Sequence, residues 1–174
     1  MSATSLIRFE ASDGTNLAGG SWNPLNFAIP DIRITSTTCQ TPDVTVPMGS
    51  VNSRDFTGVG SVAGTKPFNL ALNNCPSGIN SVKYRIDPTT AYDAATSVIA
   101  LTSSGSPGTA TGVGLQLRDN AGNPLPLAQD ITFSGYDPAG GNFTIPLQAA
   151  YYQNGSSIGP GLANASVQFT MTYQ

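Results

Sequence analysis

Apolar and polar residues alternate along much of the chain, and most regularly at its end. Ala165, Val167, Phe169, Met171 and Tyr173 are apolar, and serine, glutamine or threonine separates each from the next. Successive side chains of a strand point to opposite faces, so this pattern predicts a strand with one buried face. The sequence ends one residue later without a turn or a polar tail. We therefore expect the chain to end inside the core and to leave a strand edge that ordinary domains bury or blunt.

Weaker alternation predicts about six further short strands. They lie at 29–35, 67–73, 82–86, 98–101, 113–117 and 143–149. Phe68, Leu70 and Leu72 share one face of their strand, and Val44 and Val46 are interpreted as a short continuation of the first strand. Nineteen Gly and thirteen Pro punctuate the sequence with turns and leave no room for long helices. The predicted fold class is all-β, an antiparallel sandwich.

The composition narrows the possible partners. Charged residues make up 10% of the 174 residues, and hydrophobic residues make up 39%. The seven basic residues are scattered singly in a chain of net charge -3, whereas nucleic-acid binding needs clustered cations. No apolar run approaches the roughly 20 residues that span a bilayer. The balance of Ser, Thr, Asn and Gly over charge is typical of an extracellular β protein, so we expect a secretion signal to have been removed.

Cys39 and Cys75 are the two cysteines, 36 positions apart, and neither belongs to a CxxC motif. The chain has no histidine, so a zinc site of the usual kind has too few ligands. A structural disulfide is the favoured interpretation, and two buried free thiols are the alternative. A disulfide would imply an oxidising compartment.

The sequence offers no constellation of catalytic residues. Without histidine, general-base chemistry would depend on carboxylates, as in glycosidases. The aspartates nearly all stand beside Gly, Pro, Ser or Asn, where aspartate favours turns. We therefore expect a protein that is not an enzyme and that needs no metal or cofactor.

Several local sequences resemble one known family when taken in order. They are the cysteine pair with LNNCP at 72–76, GVGLQLR at 112–118 followed by DNAGNP at 119–124, FTIPLQAAY at 143–151, and the C-terminal strand. In that strand Tyr173 is next to the end and Gly161 is fourteenth from it. Over roughly residues 27–174 the chain resembles the subunits of chaperone–usher fimbriae.

This resemblance implies an incomplete immunoglobulin-like sandwich that lacks its last strand and is completed by donor-strand complementation. The missing strand would leave a hydrophobic groove beside the C-terminal strand. Five residues are expected to form the donor-strand groove and to bind the chaperone. They are Gly161, Val167, Phe169, Met171 and Tyr173.

The implied partners are a periplasmic chaperone, an outer-membrane usher and the donor strand of an adjacent subunit, with no nucleic acid. The chain would pass through the periplasm and end in the extracellular fimbrium. Residues 1–26 are expected to be an N-terminal junction and 27–174 the pilin domain. Pro24 and Pro30 interrupt any donor strand upstream of Cys39. We therefore favour the pilin domain of a tip adhesin over a minor or shaft pilin, with a host glycan or protein receptor bound through a separate region.

The main alternative is a stand-alone carbohydrate-binding sandwich. Trp22 could stack on a sugar, although a hydrophobic plug at one end of the sandwich is the simpler role. Tyr151 and Tyr152 could form a sugar-binding platform, but neighbours in a strand face opposite ways, which favours one core and one surface residue. A complete sandwich of this kind would fold as a stable monomer.

Overall fold

A computed structural model of the protein describes residues 38–105 and 108–174. The predicted junction at 1–26, Trp22 and the predicted strand at 29–35 lie outside these ranges. The described residues form eight strands and a short 3-10 helix at Ser53–Asp55. The strands are β1 (Val62–Cys75), β2 (Val82–Pro88), β3 (Tyr92–Asp93), β4 (Val98–Ile99), β5 (Val113–Asp119), β6 (Asp130–Thr132), β7 (Gly141–Gln153) and β8 (Val167–Tyr173).

The strands form two antiparallel sheets. One has five strands in the order β1-β7-β5-β4-β3, and the other has three in the order β6-β2-β8. The largest fully buried side chains come from both sheets and belong to one apolar cluster. They are Leu72, Ile99 and Leu147 from the first sheet, and Val82 and Ile86 from the second. The predicted all-β sandwich is confirmed.

The two longest strands extend beyond their predicted bounds. β1 pairs with β7 along most of its length, including Leu70 with Ile145. Leu70 and Leu72 are buried and Phe68 is half-buried, which confirms the predicted inward face. An irregularity between Ala63 and Lys66 interrupts the register of this pair. The alternation therefore fails at the start of β1, although the strand continues there.

The prediction that Val44 and Val46 continue a strand is wrong. Gln40 pairs with Asn73 through two backbone hydrogen bonds of 2.8 Å, but residues 41–51 belong to no strand. Val44 is 40% exposed, whereas Val46 is half-buried against the core. Proline at positions 42 and 47 provides a physical reason, because proline has no backbone N–H to donate to a sheet.

Cys39 and Cys75 form a disulfide, and both residues are buried in the apolar cluster. The favoured interpretation is confirmed, and the alternative of two free thiols is wrong. The bond joins Cys39, two residues before the segment 41–51, to the last residue of β1. It therefore holds that segment beside the five-stranded sheet at the point where backbone pairing stops.

Replacing both cysteines with alanine should lower the free energy of unfolding by about 3–4 kcal/mol, because the unfolded chain gains the freedom of a loop of this length. Urea denaturation followed by circular dichroism would measure the loss in the Cys39→Ala/Cys75→Ala variant. Reduction of the unmodified chain with dithiothreitol is the matched control and should lower stability by a similar amount. Equal unfolding midpoints for the oxidised chain and the variant would contradict this role of the disulfide.

Candidate strand-binding groove

A large groove opens on the core side of the five-stranded sheet. Its volume is about 1480 Å³, and its two borders are the segment 41–51 and the chain from residue 158 to Phe169 in β8. Its floor consists mainly of apolar side chains from β1, β5 and β7. They are Phe68, Leu70, Leu115, Leu117, Ala149 and Tyr151.

β8 forms the more regular border. It pairs with β2 on one side, and its other edge meets no strand within the described residues. Val167, Phe169 and Met171 point inward and pack against the core, yet they are only half-buried. By contrast, Ile86, the β2 partner of Phe169, is completely buried. The inward face of β8 is therefore apolar surface that the described part of the chain leaves uncovered.

The opposite border also has backbone without a strand partner in the described ranges. Residues 41–51 take part in no β-pairing there. Val46 and Met48 are half-buried and pack against the core, whereas 42–45 are exposed. In the described part of the chain, both borders thus place partly covered apolar side chains next to a backbone edge that has no strand partner.

The β8 border is anchored at its C-terminal end. The backbone of Gln174 exchanges two hydrogen bonds of 3.0 Å with Ser81, beyond the last pair of the β2–β8 ladder. The Tyr173 hydroxyl lies 3.5 Å from the carbonyl oxygen of Cys39. The end of β8 therefore contacts the disulfide, which also fixes the start of the other border.

The predicted site residues do not all lie in the same place. Gly161, Val167 and Phe169 line the large groove. Met171 lies further along the same face of β8, and Tyr173 lines a separate cavity of about 300 Å³ with neighbours that include Ile79. The last two are therefore core and anchoring residues in this structure, and a direct contact of either with a donor strand stays a prediction.

The other end of the groove contains an interaction that the alternation did not predict. Residues 108–111 pair with 159–162, and Tyr151 donates a 2.7 Å hydrogen bond to the carbonyl oxygen of Ala163. Burial raises the pKa of Tyr151, so its hydroxyl keeps the proton that it donates. The glycines in and beside these segments, at positions 105, 108, 112, 155, 159 and 161, were the available signal, because glycine permits close approach of two backbones.

Tyr151 and Tyr152 do not form a sugar-binding platform. Tyr151 is 7% exposed and belongs to the groove floor, whereas Tyr152 is half-buried. The expectation that one of the two belongs to the core is confirmed. A sugar that stacked on both tyrosine rings would need an accessible face on each ring.

The described residues contain no cluster of three or more His, Cys, Asp or Glu side chains that could hold a metal ion. Where the chain is described, no helix is long and apolar enough to cross a membrane. Hydrogen bonds from the Asn123 side chain and backbone lower the pKa of Asp119. The same hydrogen bonds stabilise the turn after β5. An apolar groove whose two borders have no further strand partner among residues 38–105 and 108–174 can bind an extended peptide as an added strand.

Comparisons with known proteins agree with this geometry. A family model described as "Fimbrial protein" matches residues 31–174. The chain is 38% identical over 134 residues to the type-1 fimbrial protein, A chain, of Escherichia coli K12, which covers 76% of this chain and 72% of that protein.

Two solved structures have the same fold. An antigen and type I fimbria protein of Burkholderia pseudomallei superposes with a TM-score of 0.56 at 32% identity, over 80% of this chain and 91% of that one. A tip adhesin from Pseudomonas aeruginosa superposes with a TM-score of 0.65 at 21% identity, over 78% of this chain and 38% of that one. The predicted immunoglobulin-like fold is confirmed, and the chain belongs to the fimbrial protein family as a type 1-like subunit.

Proposed function

We propose that the groove binds a strand from another molecule and that this is how the subunit is built into a fimbria. One observation carries the proposal: the inward face of β8 is half-buried beside an edge that has no strand partner within the described residues, while Val82, Tyr84 and Ile86 of the neighbouring β2 are buried. An added strand would supply the missing backbone partners and cover Val167 and Phe169. The protein thus acts as a structural component and needs no catalytic site.

The energy available to such a strand is large. If four of its side chains enter the groove, each contributes about 1.5–3 kcal/mol, for a gross gain of roughly 10 kcal/mol before entropy is subtracted. This is comparable to the whole stability of a domain, which is about 5–15 kcal/mol. A subunit completed in this way would stay assembled, whereas an unfilled groove would promote aggregation.

A periplasmic chaperone that fills the groove first would prevent that aggregation. The next subunit would then replace the chaperone strand at an outer-membrane usher. The buried disulfide supports a route through an oxidising compartment such as the periplasm. The final location is the extracellular fimbrium. We assign residues 27–174 to the pilin domain, which agrees with the family match over 31–174, and residues 1–26 to the junction before it.

Within the fimbria, we favour the pilin domain of a tip adhesin, in which a separate region would bind a host glycan or protein. The support comes from the sequence upstream of the disulfide. Pro24 and Pro30 each lack the N–H that a donor strand contributes to the ladder. A tip pilin domain accepts a donor strand but has no need to donate one.

Phe169→Asp should reduce binding of a donor strand at least tenfold, because a charge would lie on the apolar side of the groove. Ser166→Asp is the matched control within the same border, since the Ser166 side chain is exposed and neighbouring side chains of an extended chain point in opposite directions. Fluorescence anisotropy would measure both affinities, with labelled peptides in which valine and threonine alternate. Equal losses in the two variants would contradict the assignment of the inward face.

The tip position predicts that the purified full chain forms no fibres by itself, because it lacks an uninterrupted donor strand. Electron microscopy and size-exclusion chromatography of the concentrated chain would test this. Peptide binding by the same sample is the positive control for an intact groove. Fibres made from this chain alone would instead identify a shaft subunit, and a compact monomer that binds no peptide would favour the stand-alone module.

A further inference from the structure

The segment that leads into β8 is held by a second piece of chain at the far end of the groove from the disulfide. Residues 108–111 and 159–162 exchange four backbone hydrogen bonds, and we call this pair of segments the clasp. Ala110 N–H donates to Leu162 over 3.0 Å, and Leu162 N–H donates to Gly108 over 2.8 Å. The clasp therefore fixes the backbone on both sides of Gly161.

At Gly161 the backbones of the two segments lie too close together for a side chain. A β-carbon there would lie 2.5 Å from the carbonyl carbon of Thr109 and 2.9 Å from the Cα of Ala110. Both are backbone atoms, so no side-chain rotation can make room. The backbone of Gly161 is not in the left-handed region, so close approach is the reason for glycine here.

Two further hydrogen bonds extend this restraint from the clasp toward β8. The Tyr151 hydroxyl donates to the carbonyl oxygen of Ala163 over 2.7 Å. The backbone N–H of Thr102 donates to the carbonyl oxygen of Asn164 over 2.7 Å. Residues 159–164 are thus tied to β7 and to two parts of the connection between β4 and β5, and none of these bonds involves a donor strand.

We infer that Gly161 is a positioning residue, which allows the clasp to close and so orders the β8 border of the groove before any donor strand arrives. This inference rests on the proposed strand-binding function and adds to it how the β8 border becomes ordered. A border that is already ordered loses less conformational entropy on binding, and association is faster for the same reason. The role assigned to Gly161 from family resemblance was direct binding of chaperone and donor strand, so the two roles make different predictions.

The test compares three variants of the full chain with the unmodified protein. Gly161→Ala prevents closure of the clasp, and Tyr151→Phe removes one of the supporting hydrogen bonds without changing the ring. Gly105→Ala is the matched control, because a β-carbon at Gly105 meets no atom within 4 Å. Hydrogen exchange of the backbone amides reports the clasp, and stopped-flow fluorescence with a labelled valine–threonine peptide of about ten residues, the length of a long strand, reports association.

In Gly161→Ala we expect exchange at the amides of Ala110 and Leu162 to accelerate at least about tenfold, the equivalent of roughly one lost hydrogen bond. Exchange in β2 should stay unchanged, which separates loss of the clasp from general destabilisation. Association of the peptide should slow about tenfold in Gly161→Ala and by less in Tyr151→Phe. If Gly161→Ala does not fold, Tyr151→Phe still tests the inference. Gly105→Ala should match the unmodified chain in both measurements.

Two results would overturn the inference. If Gly161→Ala keeps the amides of Ala110 and Leu162 protected but binds peptide more weakly, Gly161 contacts the donor strand directly. If those amides lose protection while association is unchanged, the clasp does not prepare the border. Failure of the proposed function would look different, because the unmodified chain itself would then bind none of the peptides.

Discussion

Backbone amides and carbonyls that leave water must find hydrogen-bond partners, and this requirement shapes the whole sandwich. β8 satisfies it through β2 and, at its end, through the bonds between Gln174 and Ser81. Along its other edge no described strand provides partners. The hydrophobic side chains show the same division, because the inward residues of β8 are half-buried beside this edge. Among the residues that the structure describes, backbone pairing and apolar burial are thus both incomplete along the same edge of β8.

The remaining structure keeps this unfinished edge in a defined shape. At one end, the Cys39–Cys75 disulfide fixes the start of the segment 41–51 and lies beside Tyr173. At the other end, the clasp and the Tyr151 hydrogen bond hold the residues that precede β8. Side chains from β1, β5 and β7 form the floor of the groove, and most of them pack in or against the apolar core. The groove is therefore held at both ends and has a packed floor.

The parts of the fold that could be predicted from sequence are those where residue type follows a local rule. Val167, Phe169 and Met171 alternate with polar residues because one face of β8 meets the core. Two cysteines in a chain without histidine have few uses besides a disulfide. Prediction failed where geometry overrides the local pattern, as at the register irregularity that interrupts β1.

The candidate site was predictable to a similar degree. The alternation in β8 indicated one border, and family resemblance implied the groove beside it. The clasp was not predictable, because it joins two irregular segments that are about fifty residues apart and share no periodic pattern. Gly161 could be recognised as important from its place in the sequence, but not the reason for its missing side chain, since that depends on Thr109 and Ala110 in space.

Because of Pro42 and Pro47, the two borders of the groove differ in the number of backbone hydrogen bonds that they can donate. β8 presents a continuous row of amides and carbonyls, whereas the segment 41–51 lacks an amide at each proline. Two subunits that met groove to groove could not form regular backbone hydrogen bonds along both borders. Proline on an exposed edge is a recurrent natural safeguard against such self-association. A strand bound in the groove, as proposed above, would therefore find more backbone amides to pair with along β8 than along the segment 41–51.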